Sequence, residues 1–455
     1  MLKPISILLL AFTFLAPLRT QAEEVADAAR EAHAFLTRLC DDFGGRLTGS
    51  AANRAALERV ATELRALGLE PRFEEFRFPG WQRGTDTVEL LAPYARPLRV
   101  AALSYTPPTP AFEAEVVDLG GLEPERKLGD VSGKVGLLSP STLLSTRQVA
   151  QRAAELQLRA VLFINREGGA QLLARTGSFV GENLPMPVFS LAQEQGQSLQ
   201  RLLARGQSVR VRIATTSQSR EMTTANLHMV FPGRSPECVI VGAHFDSWDL
   251  GQGALDNGLG VAQLYGLARA LRGRELARTV ELVWFNGEEQ GLWGSRHAAS
   301  QLGDAPVVAM INLDMVGVPV AVNALGDAEL VTALERWHAT LPRPLPQGVQ
   351  NVNWFGSDHT SYQLAGVRTL TFHGPIPRES VRYYHDVADT IDKLPEAIVV
   401  DSTRTIASVL LALVADAELK PARRSPEATQ KLFTDFGLEP RMRAIGYWPF
   451  APRAP

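Results

Sequence analysis

Hydrophobic and polar positions follow three different rhythms along the chain. From Val25 to Leu69 the spacing is helical: in "AANRAALERVATELRALGL" Leu57, Val60, Ala61, Leu64 and Leu67 share one face, Ser50 stands where a cap belongs, and Gly68 where the helix stops. From 111 to 215 the rhythm shortens to β-branched pieces, "AEVVDLG", "GKVGLLS", "AVLFIN", "PVFSL" and "VRVRI", parted by Gly and Pro and broken by one helix, "STRQVAQRAAEL". After "TTSQSREMTTAN", near-continuous apolar runs, "CVIVGAH", "TVELVWFN", "VVAMINLD" and "VRTLTFHG", alternate with helical stretches such as "NGLGVAQLYGLARALRG", "LWGSRHAASQL" and "DAELVTALERWHATL". Strands that are apolar on both faces and alternate with helices predict an α/β domain around a mostly parallel sheet covered on both sides. The expected plan is a first part of that domain at 23–110, an inserted β-rich module at 111–215, the remainder of the domain at 216–416, and a C-terminal arm at 417–455 packed by its aromatics.

Residues 1–22 fit none of these rhythms. Lys3, an apolar run from Ile5 to Pro17, and Thr20-Gln21-Ala22 have the order of a secretory signal cleaved near Ala22, which predicts a secreted or periplasmic protein. That run is shorter than the roughly 20 residues needed to cross a bilayer, and no other apolar stretch reads as long enough, so no stable membrane insertion is expected. At 455 residues, 45% hydrophobic and 21% charged, the chain has material for two compact domains. Losing Lys3 and Arg19 moves the formal charge from -3 to -5, an acidic balance that argues against a nucleic-acid partner. Two cysteines, Cys40 and Cys238, do not make a disulfide scaffold, although an oxidising compartment leaves one bridge open.

The chemistry gathers at one topological place. His244 and Asp246 follow the first of the apolar strands in "GAHFDSWDLGQGALDNG", Glu288 and Glu289 follow the second, and Asp314 ends the third. Carboxyl ends of neighbouring strands are where ligands bind in an open α/β sheet, and Asp256 and His385, in "RYYHDVADT", can reach the same crevice. So many carboxylates in a low-dielectric cleft repel one another unless a cation neutralises them. Nitrogen and oxygen donors without thiolate suit zinc, with cobalt or manganese as substitutes. The glycines between them let the backbone turn tightly.

The stretches "HFDSWDLGQGALDNG", "NGEEQGLWGS", "INLDMVG" and "YYHDVADT" resemble the co-catalytic di-zinc exopeptidases, a group that includes bacterial leucyl aminopeptidases and carboxypeptidase Q. The resemblance runs through the mature chain in order, with "FGGRLTGS" at the start and the β-rich insert similar to a protease-associated domain. It implies a three-layer α/β/α zinc-exopeptidase domain holding two Zn2+, His244 and Asp314 on one ion, Glu289 and His385 on the other, and Asp256 bridging them. It also implies Glu288 as the general base and a cis peptide after Asp256. Asp246 is expected to accept the second ring N–H of His244, and Asp389 that of His385. The loop "FGSDHTSYQLAG" resembles a substrate-pocket border, which makes Asp358 and His359 candidates for substrate contact, while Ser357 or Asp358 would equally cap the following helix. Tyr383 and Tyr384 are candidates to offer a hydroxyl to an oxyanion.

What the resemblance implies is hydrolysis of short peptides or dipeptides, with a homodimer as in carboxypeptidase Q. Asp256-Asn257 stands where carboxypeptidase Q-like chains often have Asp-Asp, so the choice between amino and carboxyl end stays open. Two other readings remain: a single-zinc glutaminyl-peptide cyclase on the same fold, and a non-catalytic binding protein. The intact bridging Asp256 and both histidines favour two ions over either. His297, His338, His33 and His228 read as structural, the last two without acidic neighbours in sequence, and His373 stays undecided.

Overall fold

A computed structural model describes residues 21–450; the expected leader up to Thr20 lies outside the described residues. The apolar runs become an eight-stranded mixed sheet, ordered Arg72–Gln82, Gln218–Phe231, Arg278–Phe285, Ser235–His244, Val307–Asn312, Thr369–His373, Ala321–Asn323 and Val349–Gln350. Its four central strands, from Arg278–Phe285 to Thr369–His373, run parallel, and antiparallel strands join at both sides. Side-chain alternation explains why both faces are apolar. Val239, Val241 and Ala243 enter one core with the helices Gln21–Phe43, Leu259–Leu271 and Glu396–Ala415. Ile240, between them, enters the other with Ala298 and Tyr362 from Trp293–Ser300 and His359–Leu364. The result is the expected three layers.

A second eight-stranded mixed sheet is ordered Arg96–Leu98, Asp86–Ala92, Arg210–Thr215, Thr109–Gly120, Val135–Leu138, Ala160–Ile164, Val188–Leu191 and Val100–Ala102. It begins at Asp86, not at 111, because the strands between Asp86 and Ala102 pair with Arg210–Thr215 and Val188–Leu191. Such pairing is non-local, and nothing in those short strands announces which sheet they join. The sheet carries two helices where the sequence predicted one: Thr146–Glu155, opened by a capping box between Ser145 and Gln148, and Gln193–Ala204. The second has no side-chain cap and a weaker start signal.

Helix Ala51–Ala66 matches its sequence reading: Ser50 accepts from the Asn53 N–H at 3.1 Å, Leu57, Val60, Ala61 and Leu64 are buried, and Gly68 follows at φ 76°. Helix Glu396–Ala415, against the expectation of no further spanning stretch, is long and apolar enough to cross a membrane. It buries Val399, Ile406, Val409 and Leu410 against the first two helices of its layer and is a core helix of this fold. In the C-terminal arm, Phe433, Met442 and Tyr447 pack with Leu292 in a small cluster of their own. Cys40 and Cys238 are both free.

Candidate functional site

The strand Ser235–His244 ends on His244, and the chain then turns through a loop held from outside by Arg46. Its buried guanidinium donates to the carbonyls of Phe245 at 3.1 Å, Gln252 at 2.6 Å and Gly253 at 2.9 Å, which fixes the path to Asp256. Gly45 is required beside it, since a Cβ there would lie 2.7 Å from Asp249 Cα. The Asp256–Asn257 peptide is cis, as the resemblance implies.

Five of the predicted residues converge. Asp256 divides its carboxylate: Oδ1 lies 3.2 Å from His244 Nε2, and Oδ2 lies 2.8 Å from His385 Nε2. Asp314 Oδ1 approaches His244 Nε2 at 3.6 Å, and Glu289 Oε2 approaches His385 Nε2 at 3.1 Å. His244, Asp256 and Asp314 make one group able to hold a cation, and Asp256, Glu289 and His385 a second. Glu289 Oε1 is buried and meets no hydrogen-bond partner among the described residues, an orphan acceptor that fits a cation.

The electrostatics agree. Burial alone would raise Asp256, but His244 and His385 hold it below the ordinary carboxylate range. Burial pushes Glu289 up to about 7, with Asp256 adding to the rise and His385 opposing it. Burial works against a charged His385, yet Glu289 and Asp256 outweigh it and bring that ring up to about 10. Glu288 is raised well above its usual range by desolvation, with His244 opposing and Glu289, Asp314 and Asp358 adding to the rise. Carboxylates gathered this closely raise one another's pKa, and groups perturbed in this way cluster at functional sites.

Two expected partners act differently from the sequence reading. His244 Nδ1 meets the backbone carbonyl of Asp246 at 3.0 Å, while the Asp246 carboxylate stays 3.8 Å away. That fully buried carboxylate instead accepts the backbone N–H of Glu288 at 3.2 Å on one oxygen and of Glu289 at 3.3 Å on the other. Asp246 therefore holds the acidic turn, which starts at Gly287 with φ 82°. Asp389 likewise leaves the His385 ring alone and accepts from the backbone N–H groups of Leu255 at 2.8 Å and Asp256 at 3.1 Å. Burial brings its carboxyl up to about 7 although those two bonds oppose the rise.

The ring of His385 is oriented by the second sheet. Its Nδ1 meets the carbonyl of Ala174 at 2.9 Å, and the Ala174 N–H donates back to the His385 carbonyl at 3.0 Å. Two residues on, Thr176 donates its hydroxyl to the Glu289 carbonyl at 2.7 Å. A backbone carbonyl has no signature in sequence, so Ala174 was invisible there.

Asp358 and His359 lie beside the crevice and are buried, 1% and 0% exposed. Burial pushes Asp358 up to about 7, with His244 and Ser295 opposing the rise. His359 Nε2 lies 3.0 Å from the Trp354 carbonyl, and burial brings its ring down to about 4. Neither Ser357 nor Asp358 caps the helix His359–Leu364; Ser357 Oγ accepts from Asn312 instead. Tyr384 stacks on His385 with ring centroids 3.6 Å apart, whereas Tyr383 turns toward Lys393, whose Nζ is 5.1 Å from its ring. His228 has acidic partners after all. Glu281 at 2.8 Å and Glu74 at 3.1 Å reach it from adjacent strands, a cross-strand proximity that separation in sequence conceals.

Residues 226–410 match the sequence profile of Peptidase family M28, so the resemblance carried by the motifs holds over the segment that bears all five converging residues. Aminopeptidase YwaD of Bacillus subtilis is 24% identical over 388 residues, spanning 82% of each chain. Carboxypeptidase Q of Bos taurus is 27% identical over 291 residues, spanning 59% of this chain and 60% of its own length. Among solved structures, a peptidase M28 precursor from Shewanella amazonensis superposes with TM-score 0.78 at 21% identity, over 89% of this chain and 98% of that one. BSAP, a zinc aminopeptidase from Bacillus subtilis, does so with TM-score 0.72 at 22% identity, over 88% and 98%. Both cover most of this chain in its mixed α/β fold.

Proposed function

We propose that this chain, whose residues 226–410 match Peptidase family M28, is an exported zinc-dependent exopeptidase that removes single residues from short peptides or splits dipeptides. The observation that carries this reading is the divided carboxylate of Asp256, with one oxygen toward each of two imidazoles. Two nitrogen and three carboxylate donors without a thiolate suit zinc, with cobalt or manganese as substitutes. His244 and Asp314 would hold one ion, Glu289 and His385 the other, and Asp256 both. When bound, such ions lower the pKa of a water and polarise a peptide carbonyl.

The rest of the reaction falls to the chain. Glu288 is the residue next to a proposed ligand, and among the described residues burial and neighbouring charges, not hydrogen bonds, govern its carboxyl. Raised well above its usual range, it is suited to take a proton from the attacking water and deliver it to the leaving amine. Asp246 sets the angle of that turn, and Asp389 sets the backbone before and at Asp256. The second sheet is read as a protease-associated domain, whose loop at 172–176 supports the ring of His385 and the carbonyl of Glu289. Export is supported by the N-terminal order of charge and apolar residues. Cleavage near Ala22 would leave Val25, Ala29, Phe35 and Leu36 in the mature chain, where they are core.

The test is metal content per chain together with turnover of unblocked dipeptides, N-blocked dipeptides and amino-acid arylamides, with and without chelator. Two zinc ions and chelator-sensitive release of single residues are expected. One ion with cyclisation of N-terminal glutamine would replace this reading with the cyclase, and a metal-free chain without turnover would replace it with a binding protein.

A further inference from the structure

Beside the crevice lies a second cavity, of about 260 Å³, between residues 165–175 of the second sheet and residues 378–386, the segment that carries His385. Four arginines line it, Arg166, Arg175, Arg378 and Arg382, against two acids, Glu167 and Asp386. Asp386 is already engaged, since its carboxylate accepts the Leu172 N–H at 2.5 Å and the Ala388 N–H at 3.0 Å. In a chain of formal charge -3, this leaves a local excess of two positive charges around a hollow with room for a carboxylate and several waters.

Arg175 is the centre of the argument. It is half-buried, its guanidinium lies 4.5 Å from the centroid of Phe163, and it has no acidic partner among the described residues. Arg83 and Arg278, by comparison, meet Asp249 and Glu237, and the buried Arg46 is saturated by backbone carbonyls. Burial, and Arg166 beside it, hold the Arg175 guanidinium below its ordinary pKa, the opposite of what a bound anion would do. A planar fork of donors, stacked on an aromatic ring and unmatched, is shaped for a carboxylate.

The cavity is one residue removed from His385. Tyr384 lines it and stacks on His385 at 3.6 Å, and Ala174, the residue before Arg175, accepts from His385 Nδ1. We infer that this cavity binds a free carboxylate on the leaving-group residue of the peptide, which makes dipeptides and acidic short peptides the favoured substrates of the proposed exopeptidase. The inference rests on that reading for the word substrate and on the arginine-lined cavity for the carboxylate.

The experiment uses the full zinc-loaded chain and three substrates: Leu-Ala, Leu-Ala amide and Leu-Glu amide. Leu-Ala should exceed Leu-Ala amide in kcat/KM by about tenfold, mainly through KM. Arg175→Gln should lower kcat/KM for Leu-Ala more than for Leu-Ala amide and so remove that advantage; exposed Arg378→Gln should do so in part and covers a failure of the first variant to fold. A Leu-Glu amide rate that follows Leu-Ala assigns the site to a side-chain carboxylate as well as the chain terminus, and one that follows Leu-Ala amide assigns it to the terminus alone. Equal rates for all three, or a uniform loss in both variants, overturns the inference. Calorimetric titration with N-acetylalanine and its amide separates the two readings. Carboxylate binding that Arg175→Gln weakens, in a chain that hydrolyses nothing, defeats the exopeptidase and leaves the subsite standing. Turnover without such binding does the reverse.

Discussion

Replacing Asp246 by Asn tests the site at the point where structure and sequence reading part. The side chain is fully buried, and each oxygen accepts one backbone N–H, that of Glu288 at 3.2 Å and that of Glu289 at 3.3 Å. The amide keeps one acceptor and turns an NH2 group onto the other N–H. One charge-assisted hydrogen bond is then lost and a buried donor is left facing a donor, at a cost of about 1.5–3 kcal/mol. With 1.4 kcal/mol to each factor of ten, roughly ten- to hundredfold should appear in whatever depends on the acidic turn. The ion assigned to Glu289, Asp256 and His385 should therefore weaken by that factor, and kcat should fall because Glu288 loses its aim. The ion assigned to His244 and Asp314 should weaken less, since His244 Nδ1 is held by a backbone carbonyl that the substitution keeps. Zinc titration of the metal-free variant against a chromophoric chelator, resolved into two steps and read beside turnover, measures both. Selective loss of the His244 ion with the Glu289 ion intact would refute the reasoning and restore a direct side-chain bond from Asp246 to the imidazole.

Glu288→Gln should retain both ions and lose about 10²- to 10⁴-fold in kcat, and full activity with full metal content would remove it from the role of base. Asp256→Ala should lose both ions together, because one carboxylate serves both groups; metal analysis showing one ion retained would contradict that. Thr176→Val removes the hydroxyl bond to the Glu289 carbonyl, so zinc affinity should fall several-fold with little change in thermal stability, and an unchanged zinc titration would show that the second sheet does not tune the site. His228→Gln tests the buried trio on the central sheet by pH. His228 is raised by Glu281 and Glu74 against its burial, so its contribution is complete below about 6.5 and is lost as pH rises through the raised value. Glu74 is lowered to about 2 by the hydrogen bonds of His228 and Asn226 against its burial, so its contribution is complete above 4.5 and is lost as pH falls through about 2. Chemical denaturation should thus give the largest difference between wild type and variant near pH 5.5, with smaller ones at pH 3 and pH 9, and a difference flat across pH would exclude the trio as its source.

The sequence by itself determined the parts that depend on periodicity and on residue type. Apolar runs placed the parallel strands, "EE" and "DNG" placed carboxylates at their ends, and the two histidines with three acids named the donors, because ligand chemistry is a property of side chains. Tertiary structure alone decided who orients those donors. The partners of His244 and His385 are the backbone carbonyls of Asp246 and Ala174, and Asp246 and Asp389 serve backbone N–H groups of Glu288, Glu289, Leu255 and Asp256. Every residue carries those backbone groups, so no residue type signals which of them will be used. The start of the second sheet at Asp86, the acidic neighbours of His228 and the arginine-lined cavity share this origin. Each joins segments far apart in the chain, and only the closed fold, through non-local strand pairing and burial, sets which distant groups become neighbours.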